Sequence, residues 1–416
     1  MALSSTGNAV SSNNAVLVLE CDAPPDPERV RASLERFLRL CPWPAARLRR
    51  PFPWGKLHWS ASRRSAGTVP PVRRRVVPTA EDLRHAIDAE LNAAIDPRRE
   101  PPLRFLILEG GPGVGGVLVL TWFHPLMDPR GAQNLLHHLV QLDRAGGEGP
   151  WRNGPPSFVR SADERPFSER GRLARKSLEY MRTLPRAEPV SPAKGQPGRV
   201  RFRQLTFAEC ESRQTPSRLT REIWWRLAVV GKAMCRLREQ RHVPDVPFVL
   251  PIAVDLRAKG DLGPTFGNML AFHFARFKPS DTADVPRLAS ALRAQMAEAV
   301  RGGQIEANDV AMDFLQYRPL AMVRRALQWT GGGIFSFNCA DVTDFPAALA
   351  CCFGRRVTNA YHVPAVPPRP GIGVFFNRCA GRSNLVVAWI DGVVTDSDVT
   401  RIVETVREEM GWIEAS

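Results

Sequence analysis

Two side chains that could take part in catalysis, His124 and Asp128, directly follow the strongly apolar run 117–123. The run predicts a buried strand and residue 131 begins a predicted helix, so the pair lies in a short connection. Pro125 keeps His124 out of the helical region of backbone conformation. Connections after buried strands are places where rigid scaffolds present reactive groups. A half-buried histidine there stays close to neutral at pH 7, as a general base requires, and Asp128 would fix the connection through an ion pair.

The first part of the chain, residues 1–143, alternates between strand and helix patterns. Strands are predicted at 15–20, 103–108 and 114–123, and helices at 26–40, 79–95 and 131–143. Residues 47–59 and 71–77 are predicted as sheet edges or loops. A composition rich in Pro, Gly, Arg and Ser marks residues 144–197 as a linker with one short helix at 172–183.

The last part, residues 198–416, again mixes both patterns. Strands are predicted at 200–207, 247–254, 269–277, 334–337, 371–377 and 384–390. Helices are predicted at 217–241, at 281–300 with more helix to about residue 327, and at 396–410. The sequence therefore predicts an α/β protein of two halves, 1–143 and 198–416, each with a mixed sheet.

The formal charge of +15 raises the question of a nucleic-acid partner. The basic side chains are spread along the chain, and the dense runs at 47–50 and 73–75 are not interleaved with aromatic residues. This distribution argues against nucleic acid and favours a mildly positive surface. Attraction to an anionic partner, such as CoA phosphates or a lipid headgroup, is the alternative interpretation.

The eight cysteines show no CxxC spacing, and no Cys/His/carboxylate set has metal-ligand spacing, so we expect no metal site. Scattered cysteines favour a reducing compartment. The start of the chain is polar, and no segment reaches about 18 apolar residues, so we expect no signal peptide and no transmembrane segment. These features predict a cytoplasmic protein and leave peripheral contact with a membrane open.

Residues 123–131, FHPLMDPRG, resemble the His-His-x-x-x-Asp-Gly motif of the chloramphenicol-acetyltransferase-like superfamily. That superfamily includes peptide-synthetase condensation domains, wax ester synthases/diacylglycerol acyltransferases and polyketide-associated acyltransferases. Residues 250–257 (LPIAVDLR) and 265–269 (TFGNM) resemble a conserved region of its second half. The resemblance is patchy but collinear from about residue 15 to residue 410.

The resemblance implies two similar halves arranged as a V around a central tunnel. It also implies an acyltransferase that moves an acyl group from a CoA or carrier-protein thioester to a hydroxyl or amine of a small molecule or lipid. His124 would be the general base, and Asp128 would be structural and pair with Arg257 from the other half. Candidates for binding the oxyanion are Asn268, Ser336 and Asn338. The resemblance implies no metal or prosthetic group, because the CoA or phosphopantetheinyl arm belongs to the substrate, and an acyl carrier protein is a compatible partner.

Two residues depart from the motif. Phe123 stands where the first histidine usually lies, and Pro129 replaces the glycine after the aspartate. Proline fixes φ near −65° and removes an N–H, so this substitution predicts a reshaped loop. The alternative hypothesis is therefore a catalytically degenerate domain that keeps the fold and acts as a binding or scaffold protein.

Overall fold

A computed structural model of the protein describes residues 13–52, 55–61, 68–110, 115–145, 165–189, 198–208, 219–243, 245–258, 263, 265–318, 322 and 334–412. The strands of this described part are β1 (Asn14–Cys21), β2 (Arg47–Arg49), β3 (His58–Ser60), β4 (Val72–Val77), β5 (Leu103–Gly110), β6 (Gly116–Phe123), β7 (Val200–Ala208), β8 (Phe248–Asp255), β9 (Leu270–Phe277), β10 (Asn338–Asp344), β11 (Cys351–Cys352), β12 (Arg355–Val363), β13 (Ile372–Cys379) and β14 (Arg382–Ile390). Its α-helices are α1 (Pro27–Leu40), α2 (Ala80–Asn92), α3 (Pro129–Ala145), α4 (Phe167–Arg182), α5 (Leu219–Gln240), α6 (Val285–Arg301), α7 (Gln304–Leu315) and α8 (Asp396–Met410).

A six-stranded sheet with the order β11-β12-β1-β6-β5-β4 carries the predicted site at the end of β6. All eight residues of β6 are buried, because β1 and β5 flank the strand and side chains cover both faces of the sheet. On one face, α1 and α3 pack over a core that includes Leu17, Phe105 and Leu120. The helix predicted at 26–40 is α1: Asp26 caps it by accepting the Glu28 N–H, and Pro27 is its first residue.

The second sheet has the order β10-β13-β14-β7, and β10 and β13 are parallel. Buried residues of both sheets join in one apolar core, which contains Val18 and Val119 from the first sheet and Val374 and Val386 from the second. Helix α5 packs against α6 and α8 over this core. The hairpins β2–β3 and β8–β9 form two small antiparallel sheets, and α4 and α7 pack together beside β9.

The fold class predicted from the sequence, α/β with mixed sheets, is confirmed. Strand β12 was not predicted, although it lies inside the range of the second half. It pairs antiparallel with β1, so the C-terminal range contributes to the N-terminal sheet.

Some element boundaries differ from the predictions. The strand predicted at 334–337 is wrong, because β10 begins only at Asn338. Helix α3 begins two residues before its predicted start, and α4 begins at Phe167 rather than 172. The further helix predicted after residue 300 is present as α7, and residues 319–321 and 323–327 of its predicted extent lie outside the described residues, as do residues 146–164 and 190–197 of the predicted linker.

Candidate active site

His124 is the first residue of a short 3₁₀ turn, His124–Leu126, that follows β6, so the turn includes His124 although a proline follows it. Its main-chain N–H donates to the Asn13 carbonyl at 2.9 Å, which anchors the turn beside β1. The side chain is partly exposed, and its Nδ1 atom has no hydrogen-bond partner among the described residues. Burial lowers the pKa of His124 from its ordinary value, against smaller opposing effects of its own carbonyl and of the Asp128 carboxylate. The imidazole is therefore neutral at pH 7 and can accept a proton.

Asp128 caps helix α3. Its Oδ1 atom accepts the Gly131 N–H at 2.7 Å, and its main-chain carbonyl accepts the Ala132 N–H at 3.0 Å. Pro129 is consequently the first helical residue, where a missing N–H removes no intrahelical bond and the fixed φ suits the helix. The helix accommodates the proline at the position where proline is favoured.

The second carboxylate oxygen of Asp128 faces the other half of the chain. Oδ2 accepts Arg257 Nη1 at 3.0 Å and the Met269 N–H at 2.7 Å. The side chains of Arg257 and Asp128 are 2% and 0% exposed, so the ion pair that the resemblance implies is present and almost fully buried. The guanidinium also donates to three further oxygens: the Gly267 carbonyl at 2.6 Å, the Thr265 carbonyl at 3.2 Å and Asp255 Oδ1 at 3.0 Å. Arginine suits this position because its planar guanidinium carries several N–H donors in fixed directions.

The segment Thr265–Met269 docks on the first turn of α3. Phe266 is fully buried among aromatic side chains of the N-terminal core, with ring-centroid distances of 5.4 Å to Phe37, 5.7 Å to Trp43 and 5.5 Å to His138. The Phe266 carbonyl would lie 2.2 Å from a Cβ atom on Gly131, so only glycine allows this approach. Sequence reasoning placed this segment in the resemblance but did not predict that Phe266 anchors it.

The three candidates for oxyanion binding lie in different places. Asn268 belongs to the docked segment and precedes Met269, whose N–H contacts Asp128. Ser336 is fully buried, and its hydroxyl accepts the Val249 N–H at 3.1 Å. Val249 lies six residues before Asp255 on β8, which is about 20 Å along the strand. Because Ser336 contacts Val249, it is far from the end of β8 that leads to Arg257. Asn338 is the partly exposed first residue of β10 and pairs with Gly373. The structure thus brings Asn268 into the group around Asp128 and leaves Ser336 outside it.

Two tryptophans that sequence reasoning missed contact the turn. Trp122 Nε1 donates to the Met127 carbonyl at 2.8 Å, and Trp59 Nε1 approaches the Pro125 carbonyl at 3.4 Å. Phe123, at the place of the motif's first histidine, packs with Leu48 and Ile95. The position of Trp122 next to the motif was visible in the sequence, but its hydrogen bond was not.

The adjacent histidines of α3 do not form a metal site. His137 Nε2 lies 2.9 Å from Gln141 Nε2, whereas the His138 ring packs on Phe266. Within the residues that the structure describes, no group of three or more His, Cys, Asp or Glu side chains is placed to hold a metal ion. None of the helices in the same part is long and apolar enough to cross a membrane.

Comparison with solved structures shows the same fold over nearly the whole chain. The first condensation domain of the calcium-dependent antibiotic synthetase, in complex with a substrate analogue, superimposes with a TM-score of 0.69 at 13% identity, covering 97% of this chain and 94% of that one. TRI3 trichothecene 15-O-acetyltransferase from Fusarium sporotrichioides gives 0.63 at 13% identity, covering 96% and 92%. A mutant starter condensation domain of rhizomide synthetase RzmA, in complex with C8-CoA and Leu-SNAC, gives 0.63 at 12% identity, covering 96% and 89%. Neither the protein-family models nor the curated proteins give a match.

The chain therefore has the fold of condensation domains, which a trichothecene acetyltransferase shares. The resemblance predicted from residues 123–131 and 250–269 is confirmed at the level of the fold.

Proposed function

We propose that the protein is an acyltransferase that moves an acyl group from a thioester to a hydroxyl or amine, with His124 as general base. The observation that carries the proposal is that the His124 ring is neutral and the turn that holds it is fixed on both sides. A partly exposed histidine with a lowered pKa lies at the end of a buried strand. Four residues later, the chain is locked by the Asp128–Arg257 pair. A base needs this combination of a neutral ring and a fixed backbone.

In the proposed reaction, His124 takes the proton from the acceptor hydroxyl or amine as that group attacks the thioester carbonyl. The tetrahedral intermediate collapses, the carbon–sulfur bond breaks, and the imidazolium returns the proton to the leaving sulfur. The oxyanion requires a preorganised donor, and Asn268 is the candidate because it lies in the segment docked against Asp128.

The proposed donor is an acyl thioester of CoA or of a carrier protein, and the acceptor is a small molecule or a lipid. Support comes from what related structures contain or do. The rhizomide synthetase domain was solved with C8-CoA and Leu-SNAC, and the trichothecene enzyme is an O-acetyltransferase. The thiol-bearing arm is part of the substrate, so the proposal includes no metal or prosthetic group.

The test is thioester turnover by the purified protein. Acetyl-, octanoyl- and palmitoyl-CoA would be incubated with alcohol and amine acceptors. A colorimetric thiol assay would measure the CoA that is released, and mass spectrometry would identify the acylated products. His124→Ala should abolish transfer and keep the parent melting temperature. His85→Ala is the matched control, because His85 is exposed on α2. Equal transfer by parent and His124→Ala would show that His124 is not the base.

A second candidate function is a binding or scaffold role without turnover, which the departure from the motif at Pro129 favours. Calorimetry with the same acyl-CoAs separates the two. Binding without thiol release for every acceptor, in the parent and in Pro129→Gly, would support the scaffold.

A further inference from the structure

Trp122 lies in the strand immediately before His124 and is fully buried. Its side chain points into the core under α3, and its indole N–H reaches the Met127 carbonyl, on the far side of the 3₁₀ turn, at 2.8 Å. A single side chain thus spans the turn that carries His124, from the residue two before it to the residue three after it.

The Met127 residue is itself fully buried, so water does not reach this carbonyl. A buried carbonyl that loses its donor is left with a substantial desolvation penalty. The indole N–H therefore determines where the chain between His124 and Asp128 can lie. The other end of the same turn is fixed by the His124 N–H, which donates to the Asn13 carbonyl. The cap that Asp128 makes fixes the chain directly after Met127.

The Trp122 ring is held in turn by the unpredicted strand β12. His362 meets it edge to face, with centroids 6.2 Å apart and an interplanar angle of 87°. His362 is buried, and its Nε2 lies 3.2 Å from Gln133 Nε2 on α3, so the imidazole accepts the amide N–H. Burial, with a smaller effect of Arg130, lowers the pKa of His362 to about 3, which keeps the ring neutral and able to accept. Trp122 is consequently fixed between the sheet and the helix that Asp128 caps.

We propose that Trp122 is a positioning residue, whose indole N–H holds the His124 turn in the conformation used for proton transfer. This inference rests on the proposed function. Trp59 makes a longer approach of 3.4 Å to Pro125 from a partly exposed position, so water can replace it, and its contribution is smaller.

The test compares Trp122→Phe with Trp389→Phe, a matched change of a buried tryptophan on β14 of the second sheet. Trp122→Phe should lower kcat by about tenfold to a hundredfold and leave KM within twofold, because misplacing a catalytic group by about 1 Å has effects of that size. Trp389→Phe should change neither. Benzothienylalanine at position 122, which keeps the bicyclic ring but lacks the N–H, should reproduce the loss of kcat and replaces Trp122→Phe if that variant does not fold.

A second readout does not need turnover. The His124 imidazole would be titrated by NMR, with its signal assigned from His124→Ala. Loss of the Trp122 N–H should loosen and hydrate the turn, so the pKa of His124 should rise towards its ordinary value, whereas Trp389→Phe should leave it unchanged. If the parent turns over no thioester, the proposed function fails, and this titration still decides the positioning. The positioning role is contradicted if the position-122 variants have the same kcat and the same His124 pKa as Trp389→Phe. Where the parent is inactive, an equal His124 pKa alone is enough, and Trp122 is then only a core residue.

Discussion

Arg257 Nη1 lies 3.0 Å from Asp128 Oδ2, and these two nearly inaccessible side chains join parts of the chain that are 129 residues apart. Each of these buried charges compensates the other, so Arg257→Ala would leave the Asp128 carboxylate buried without its ion-pair partner. The variant should therefore have a free energy of unfolding about 3–5 kcal/mol lower than that of the parent. Urea denaturation measures this loss. Arg175→Ala, which breaks an exposed pair with Glu179, should have no measurable effect. An unchanged urea midpoint for Arg257→Ala would contradict the structural role of the pair.

Gly131→Ala should separate the docked segment from α3. The added Cβ would meet the Phe266 carbonyl at 2.2 Å, so the backbone must move, at a cost of about 1–3 kcal/mol. Gly171→Ala is the control, since nothing lies within 4 Å of its Cβ and α4 should gain about 0.5–1 kcal/mol. Thermal unfolding of both variants distinguishes a local clash from a general intolerance of alanine.

Pro129→Gly restores the motif residue and should reduce stability modestly. Proline at the first helical position restricts the unfolded chain without losing a native hydrogen bond, so its removal should cost about 0.4–1 kcal/mol. Acyl transfer should remain within twofold of the parent. A large gain in transfer by Pro129→Gly would mean that the proline had suppressed catalysis.

The pH dependence of kcat/KM should reflect His124. The base acts in its neutral form, so kcat/KM should rise with pH through the pKa of this residue and then level off. Because burial lowers that pKa, the midpoint should fall below 6.5, the ordinary value for histidine. A midpoint above 6.5, measured with a saturable thioester donor between pH 4.5 and 8, would argue against His124 as the titrating base.

His273 should make the fold sensitive to acid. It is 4% exposed on β9, neither ring nitrogen has a partner among the described residues, and burial, with a smaller effect of Arg276, lowers its pKa to about 4. Between about pH 6.5 and pH 4 the unfolded state binds more protons than the folded state. The contribution of His273 to the unfolding free energy should therefore fall by about 1.4 kcal/mol per pH unit as pH decreases through this range, in addition to any loss from His362.

His273→Phe tests this assignment. The ring stacks on Tyr180 at a centroid distance of 6.2 Å, and phenylalanine can keep that contact without burying unpaired nitrogens. The variant should be at least as stable as the parent at pH 7 and lose less stability at pH 5, as measured by urea denaturation at both values. His85→Phe, on the exposed surface of α2, should keep the pH dependence of the parent.

The residues that carry the candidate site could be found from the sequence because their signals are local. A buried strand, a proline after His124 and an aspartate before a helix lie within fifteen residues. Arg257 was found through the resemblance and not through any periodicity. Strand β12 was missed because its alternation is broken by Asn359 and His362, which are polar but buried. Side chains from β13 and β14 satisfy its backbone: Asn377 accepts the His362 N–H and Asn384 donates to the Ala360 carbonyl.

The sequence by itself determined the mixed α/β class, the position of the His124 turn and the order of the segments that resemble condensation domains. The tertiary structure alone decided that Phe266 anchors the segment near Asp128 and that Trp122 hydrogen-bonds across the turn. It also decided that the Ser336 hydroxyl accepts a main-chain N–H of β8. The physical reason is that a hydrophobic pattern records whether a residue is buried but not what it is buried against. Most of these contacts join residues more than eighty positions apart, and only the packed sheets and helices bring them within hydrogen-bonding distance.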